Sequence, residues 1–276
     1  MPTYPATLIV LKKTKLGESD LIITGFTDEG YQVRAVAKGA RKPSSRIGAQ
    51  LELYTVAKTL LQKGRSLDIV REATVLISNA GCRSDVEHSA AAAVIVELLD
   101  KVTRDSDQEE RLFALGKEAL RCVGAVELEG LRLITAGALL KIVAQLGFRP
   151  VLDVCVVCAA PLDGGQGGAR EVEGVQGEMN TQGAAPPAPI AFSHAQGGAL
   201  CSRCASLEPE GSLVLMAPAL LNWLRTLMGS RFVALETHAH AGTEGVATEI
   251  LLFSKNWLRA HLLVYLKSLD FLVNLR

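Results

Sequence analysis

Near residue 80 the hydrophobic rhythm of this chain changes from a period of two to a period of 3.6, so the polypeptide must build strands first and helices afterwards. Residues 7–11 and 21–27 are β-rich runs. Asp28, Glu29 and Gly30 supply a turn before a third segment, in which Tyr31, Val33, Ala35 and Ala37 share one face while Gln32, Arg34, Val36 and Lys38 share the other. Residues 51–61 and 67–75 read as a fourth and a fifth strand about a turn at Lys63, Gly64 and Arg65. Five short strands with turns at roughly ten-residue spacing predict a small barrel or sandwich. An OB-fold fits best, and an SH3-like barrel is the competitor.

Beyond the change of rhythm, Ser84 or Asp85 can cap a helix whose stripe is Val86, Ala90, Val94, Leu98 and Val102. Leu112, Leu115, Ala119, Leu120 and Val123 mark a second helix. A third carries Leu131, Ile134, Ala138, Ile142 and Leu146 and is stopped by Gly147 and Pro150. Residues 218–228 return to helical spacing, and so do residues 249–275. In the latter, Leu251, Trp257, Leu258, Leu262, Tyr265, Leu266 and Leu269 predict one long terminal helix. Hydrophobic residues make up 49% of the 276, enough for these stripes to form the core of one bundle. Residues 90–96 are the longest apolar run, too short to span a bilayer. No signal-peptide pattern opens the sequence, and a cytoplasmic protein without a membrane partner is expected.

Four of the six cysteines stand in two C-x-x-C pairs, Cys155 with Cys158 and Cys201 with Cys204. Each pair can bend two thiolates toward one ion, and two pairs complete a closed tetrahedral shell, so a single structural Zn2+ is expected. Residues 163–200 separate the pairs with a Gly- and Pro-rich composition typical of loop or disorder. Catalytic zinc in the nucleobase deaminases is accompanied by H-x-E, whereas here His194 is followed by Ala195 and Gln196, and His194 reads as a surface residue. A second metal site could be drawn at His238, His240 and Glu244, but a third placed ligand is missing. Cys82 and Cys122 read as small buried hydrophobes. With no P-loop, carboxylate cluster or Ser/His/Asp spacing, no enzyme is expected.

The net charge of zero hides an asymmetry: residues 1–80 carry 12 Lys and Arg against 7 Asp and Glu. The cations cluster at Lys12, Lys13 and Lys15, at Arg34 and Lys38, and at Arg41, Lys42 and Arg46. Residues 38–46 read as a flexible loop able to follow a phosphate backbone. Tyr4, Phe26, Tyr31 and Tyr54 are the aromatics that could stack on bases, too few to lead binding. Phosphate neutralisation, steeply dependent on salt, is therefore the expected mode, on duplex as well as on single strands.

Leu16-Gly17-Glu18-Ser19-Asp20, Phe26-Thr27-Asp28-Glu29-Gly30 and the run from Ala37 to Arg46 resemble the RecO family of bacterial recombination mediators. The paired C-x-x-C motifs and Tyr265-Leu266-Lys267-Ser268-Leu269 resemble it too, so the likeness spans nearly the whole chain. It implies an α+β multidomain protein: an N-terminal five-stranded OB-fold barrel (1–80), a helical bundle (81–152 and 205–276) and an inserted four-cysteine zinc finger (153–204). Binding of single- and double-stranded DNA and annealing of complementary strands are implied as well. The resemblance also implies partnership with RecR, with the C-terminal tail of the single-strand-binding protein and, indirectly, with RecA, in the nucleoid-associated cytoplasm. The long Gly/Pro insert departs from the family pattern. An RNA-binding module is the alternative, separable by a preference for RNA over DNA.

Overall fold

Alternating burial along the first strands closes them on one another. The computed structural model describes residues 1–103, 109–162, 188–238 and 243–275. Strands β1 (Thr3–Leu16), β2 (Asp20–Thr27), β3 (Gln32–Ala37), β4 (Val56–Gln62) and β5 (Asp68–Ile77) form a closed barrel in the order β1-β2-β3-β5-β4. Neighbours are antiparallel except β3 and β5, which pair in parallel through Ala35↔Asp68 and Val36↔Ile69. The long β1 closes it by pairing β2 along one edge and β4 along the other. This is the five-stranded OB arrangement that the spacing predicts. Leu8, Val10, Ile23, Ala35, Ala37, Ala57, Leu61 and Val70 fill the interior.

The opposite parity has a different fate. Ile9, Leu11, Phe26 and Val56 face outward and join the core of the helical body. That body is built from α2 (Val86–Val102), α3 (Glu110–Val123), α4 (Leu128–Gln145), α6 (Pro218–Gly229), α7 (Phe232–His238), α8 (Glu244–Leu262) and α9 (Lys267–Asn274). Phe26 meets Phe113 at a centroid distance of 6.2 Å. Gln32 donates to the Asp100 carbonyl at 2.7 Å and to the Thr103 hydroxyl at 3.0 Å, tying β3 to the end of α2. Half of the outer β1–β2–β3 face is thus covered by helices.

Several expectations change on folding. The fourth strand begins at Val56 rather than at 51: a short helix α1 (Arg46–Gln50) comes first, and residues 51–55 turn out of it through a left-handed Tyr54 (φ 72°). Ser45 caps that helix by accepting from the Gly48 amide at 3.1 Å, so residues 38–46 are a series of turns entering a helix and not a loose loop. α4 buries nearly its whole circumference, from Gly130 to Val143, beyond the single stripe that its spacing predicts. Val86, placed in the stripe of α2, is 57% exposed.

The single terminal helix is also overturned. It breaks at Leu263, whose φ of 53° is left-handed, and α9 folds back to pack on α2. Leu266 and Leu269 continue the apolar spacing only because both are buried after the reversal. Glu97 of α2 receives the exposed α9 amides of Lys267 (3.2 Å) and Ser268 (2.9 Å), which stabilises the new helix start. A small sheet of β6 (Ile190–Ser193), β7 (Gly198–Leu200) and β8 (Val214–Met216), in the order β7-β6-β8, sits beside the four-residue helix α5 (Ser202–Ala205). Strands β6 and β7 therefore occupy the last part of 163–200, read above as loop or disorder. Residues 163–187 lie outside the described residues.

Candidate nucleic-acid face and metal centre

The cationic segments meet because two turns are tied together. Gly39 has a left-handed φ of 65°, which favours glycine and turns its amide toward Asp20 at 2.7 Å. That bond, the Ser19 hydroxyl and the nearby Lys38 and Lys42 charges hold the Asp20 carboxyl below the usual range. Arg41 completes the tie: its amide donates to the Ser19 carbonyl at 2.9 Å. Its guanidinium donates to the carbonyls of Gly17 (3.1 Å) and Glu18 (2.8 Å). The 16–20 hairpin turn and the 38–42 turn thus form one rigid corner of the barrel.

From this corner a row of side chains crosses the uncovered half of the outer face. Register places Lys12 opposite Thr24 and Thr24 opposite Arg34, so Lys12 and Arg34 project on the same side with Thr24 between them. A bulge between Val10 and Lys12 brings Lys12 onto this side. Lys38 follows at the end of β3, and Lys42 and Arg46 are exposed in and after the next turn. Lys12, Lys15, Arg34, Lys38, Lys42 and Arg46 make no ion pair among the described residues.

The remaining two of the eight sequence candidates are engaged. Lys13 has the parity of the interior residue Ile23 and pairs with Glu52 at 2.8 Å. Arg41 is spent partly on the carbonyls above. Sequence proximity grouped Lys12 with Lys13, and the pleat separates them. The four aromatics separate in the same way. Phe26 and Tyr54 are buried, Tyr54 donating to the Ser89 carbonyl, while Tyr4 and Tyr31 remain half-buried at the far mouth of the barrel.

The four C-x-x-C cysteines converge as their spacing predicts, all four sulfurs lying within 4.8 Å of one another. The first pair sits on a tight turn in which Ala159 is left-handed (φ 60°) and donates to the Cys155 carbonyl at 2.8 Å. Val156 donates to the Ala199 carbonyl at 2.9 Å, fastening this turn to β7, which leads directly into Cys201. Gly198 permits the approach, since a Cβ there would stand 2.6 Å from the Val151 carbonyl.

Cys158 and Cys201 Sγ are 3.7 Å apart, far from a disulfide bond length. The distance matches the edge of roughly 3.8 Å of a tetrahedron with metal–sulfur bonds of ~2.3 Å. Burial pushes the Cys155 thiol up, but the amides of Cys201, Cys158 and Val157 outweigh it and bring it down to about 6. Hydrogen bonds within the cluster, first from Cys158, push the Cys204 thiol up to about 12. Four sulfurs crowded this closely, with the Cys155 thiol lowered and the Cys204 thiol raised, are a donor set that a divalent ion would relieve. Geometry and donor chemistry fit one metal ion.

His194 is not the surface residue expected. It is half-buried against Phe192 (5.2 Å), Phe253 (5.3 Å) and Trp257 (6.0 Å), in the aromatic seam that joins the small sheet to α8. Burial, aided by His261, lowers its pKa. The His238 and Glu244 side chains and His240 lie outside the described residues. Cys82 and Cys122 are fully buried. Among the described residues no helix is long and apolar enough to cross a membrane.

Residues 1–79 match the family model described as recombination protein O N terminal, and residues 83–270 match recombination protein O C terminal. A relative from Desulfitobacterium hafniense (strain DSM 10664 / DCB-2), named DNA repair protein RecO, is 34% identical over 224 residues, covering 81% of this chain and 70% of the relative. One of the same name from Pelotomaculum thermopropionicum is 29% identical over 229 residues, covering 81% and 78%. A third, from Thermoanaerobacter sp. (strain X514), is 27% identical over 272 residues, covering 97% and 96%.

Proposed function

Since this chain belongs to the family of recombination protein O, we propose that it is a DNA-repair mediator whose barrel binds single- and double-stranded DNA through phosphates. The observation that carries this reading is the set of cations that make no ion pair among the described residues, Lys12, Arg34, Lys38, Lys42 and Arg46, on or beside a face whose other half is sealed by helices. Lys15, exposed near the same corner, adds to the field, and Lys13 and Arg41 support it from their structural positions. Each phosphate neutralised releases counterions, which gives affinity with little sequence preference.

Neutralisation also explains annealing. Two strands held on one cationic face repel each other less, and base pairing then completes the duplex without an energy source. Together with RecR, the protein would help load RecA onto strands coated by single-strand-binding protein, whose C-terminal tail is a docking partner. The ion held by Cys155, Cys158, Cys201 and Cys204 is Zn2+ in this reading. Four thiolates close its coordination, so it contributes folding energy to the small sheet and no chemistry.

Replacing Lys38 and Lys42 with Gln tests the face. For single strands, each lost contact lowers the slope of log K against log salt by about 0.7, so the double variant flattens it by about 1.4. Salt titrations with unchanged affinity and slope would refute the assignment. Annealing of oligonucleotides coated with single-strand-binding protein, with and without RecR, tests the mediator role. No acceleration by the protein in either case would rule that role out.

A further inference from the structure

The mouth of the barrel opposite the cationic corner is a built cavity. Tyr4, Tyr31, Gln32, Arg34, Lys63 and Asp68 line about 560 Å³ of open space, within the range of small-ligand sites, which occur in the mouths of barrels. Its floor is organised around one carboxylate. Asp68 accepts from the Tyr4 hydroxyl and from the Gly64 amide at 2.9 Å, and forms a loose ion pair with Lys63 at 3.9 Å. These contacts pin the β4–β5 turn and fix the Tyr4 ring, over which the Lys63 ammonium stands at 5.5 Å. Asp68 is nearly covered, whereas the Lys63 side chain is 65% exposed. Arg34 stands at the lip without an ion pair among the described residues, and Tyr31 leaves its ring half open beside it.

Two aromatic rings with two cations at the rim are the chemistry of a base with its phosphate. A paired base keeps both faces stacked within the helix and cannot enter such a mouth, but a splayed one can. We propose that this mouth seats one unpaired nucleobase, stacked on Tyr31 above the Tyr4 floor, with Arg34 and Lys63 holding its phosphate. Seven residue steps along β3 separate Tyr31 from Lys38, roughly 23 Å at 3.3 Å per residue. A strand running from the seat to the corner therefore covers several nucleotides, in keeping with the ~4–16 bound by one OB-fold. The inference rests on the DNA-binding reading and adds a preference for single strands that phosphate contacts alone do not supply.

The test uses the full chain, oligothymidylates carrying 2-aminopurine at alternate positions, and duplex of equal length. Stacking in the seat changes the 2-aminopurine emission of the wild-type complex, and unchanged emission at saturation would overturn the proposal without any variant. Tyr31→Leu should weaken single-strand binding by about tenfold and leave duplex binding within about twofold, while Tyr31→Phe keeps both. Equal losses on the two DNA forms, or none on either, would also overturn it. The Lys38→Gln/Lys42→Gln variant separates the two readings. Loss of both DNA forms there, with none in Tyr31→Leu, removes the seat and leaves the face; no loss there removes the face and the seat with it.

Discussion

At the scale of single residues, two carboxylates show how little side-chain chemistry is needed to fix the backbone. Asp20 joins two turns through one amide, and Asp85 starts α2 by accepting from the His88 amide at 2.7 Å. That amide chiefly, helped by Ser84 and the His88 ring, lowers the Asp85 carboxyl to about 2 from 3.8. A folded value below the unfolded one means that its stabilisation is present above about pH 4 and fades as pH falls toward 2. Asp85→Ala should lose ~1 kcal/mol in urea unfolding at pH 7, about half of that at pH 3 and little near pH 2. Asp85→Asn, which keeps an acceptor without the charge, should recover part of the loss at pH 7 and show no such fading toward low pH. A cap at Ser84 or Asp85 was legible in the sequence because a cap is local, and the fold decided for Asp85. Arg41 was not: it counted as one more free cation, and only the approach of Gly17 and Glu18 turned its guanidinium toward the backbone.

At the scale of elements, α9 is held by a partner 170 positions away in the chain. Glu97 accepts from the Lys267 and Ser268 amides and from the Ser268 hydroxyl at 2.5 Å. Burial raises its pKa, but the Ser268 and Lys267 bonds outweigh this and keep it ionised below the usual range. Glu97→Ala leaves those groups without their acceptor, a cost of about 1–3 kcal/mol. Hydrogen exchange should then quicken through Lys267–Asn274 while α4 keeps its protection; unchanged exchange in α9 would show that Leu269 and Leu272 hold it unaided. The reversal before α9 escaped the periodicity because apolar spacing reports which residues are buried, not whether the backbone between them stays helical. A left-handed Leu263, 90% exposed, has no signature in composition.

At the scale of the whole molecule, the small sheet beside the metal centre is continuous with the helical core, while Cys155, Cys204, Ala191 and Leu200 form a cluster of their own. Phe192 of β6 and Met216 of β8 belong to the core that contains Trp257, whose indole donates to the Phe148 carbonyl at 2.8 Å. Removing the metal should therefore lower the melting temperature of the whole chain instead of freeing a separate unit. The exposed Cys158 and the half-exposed Cys201 should become alkylated first. Cys82, whose thiol burial pushes up to about 12, should stay unmodified until global unfolding. A chelated protein with unchanged melting would break this coupling. The short-range features of this protein were determined by its sequence alone: strand and helix rhythm, the Asp28–Gly30 turn, a cap at Ser84 or Asp85 and the two cysteine pairs. Each depends on residues within a few positions of one another, or on ligands whose chemistry admits few partners. Only the tertiary structure decided which half of the barrel face stays open, which cations are drawn into ion pairs or backbone contacts, why Tyr31 is reachable while Tyr54 is not, and where α8 ends. Those outcomes depend on what packs against each surface, and a one-dimensional pattern does not contain that information.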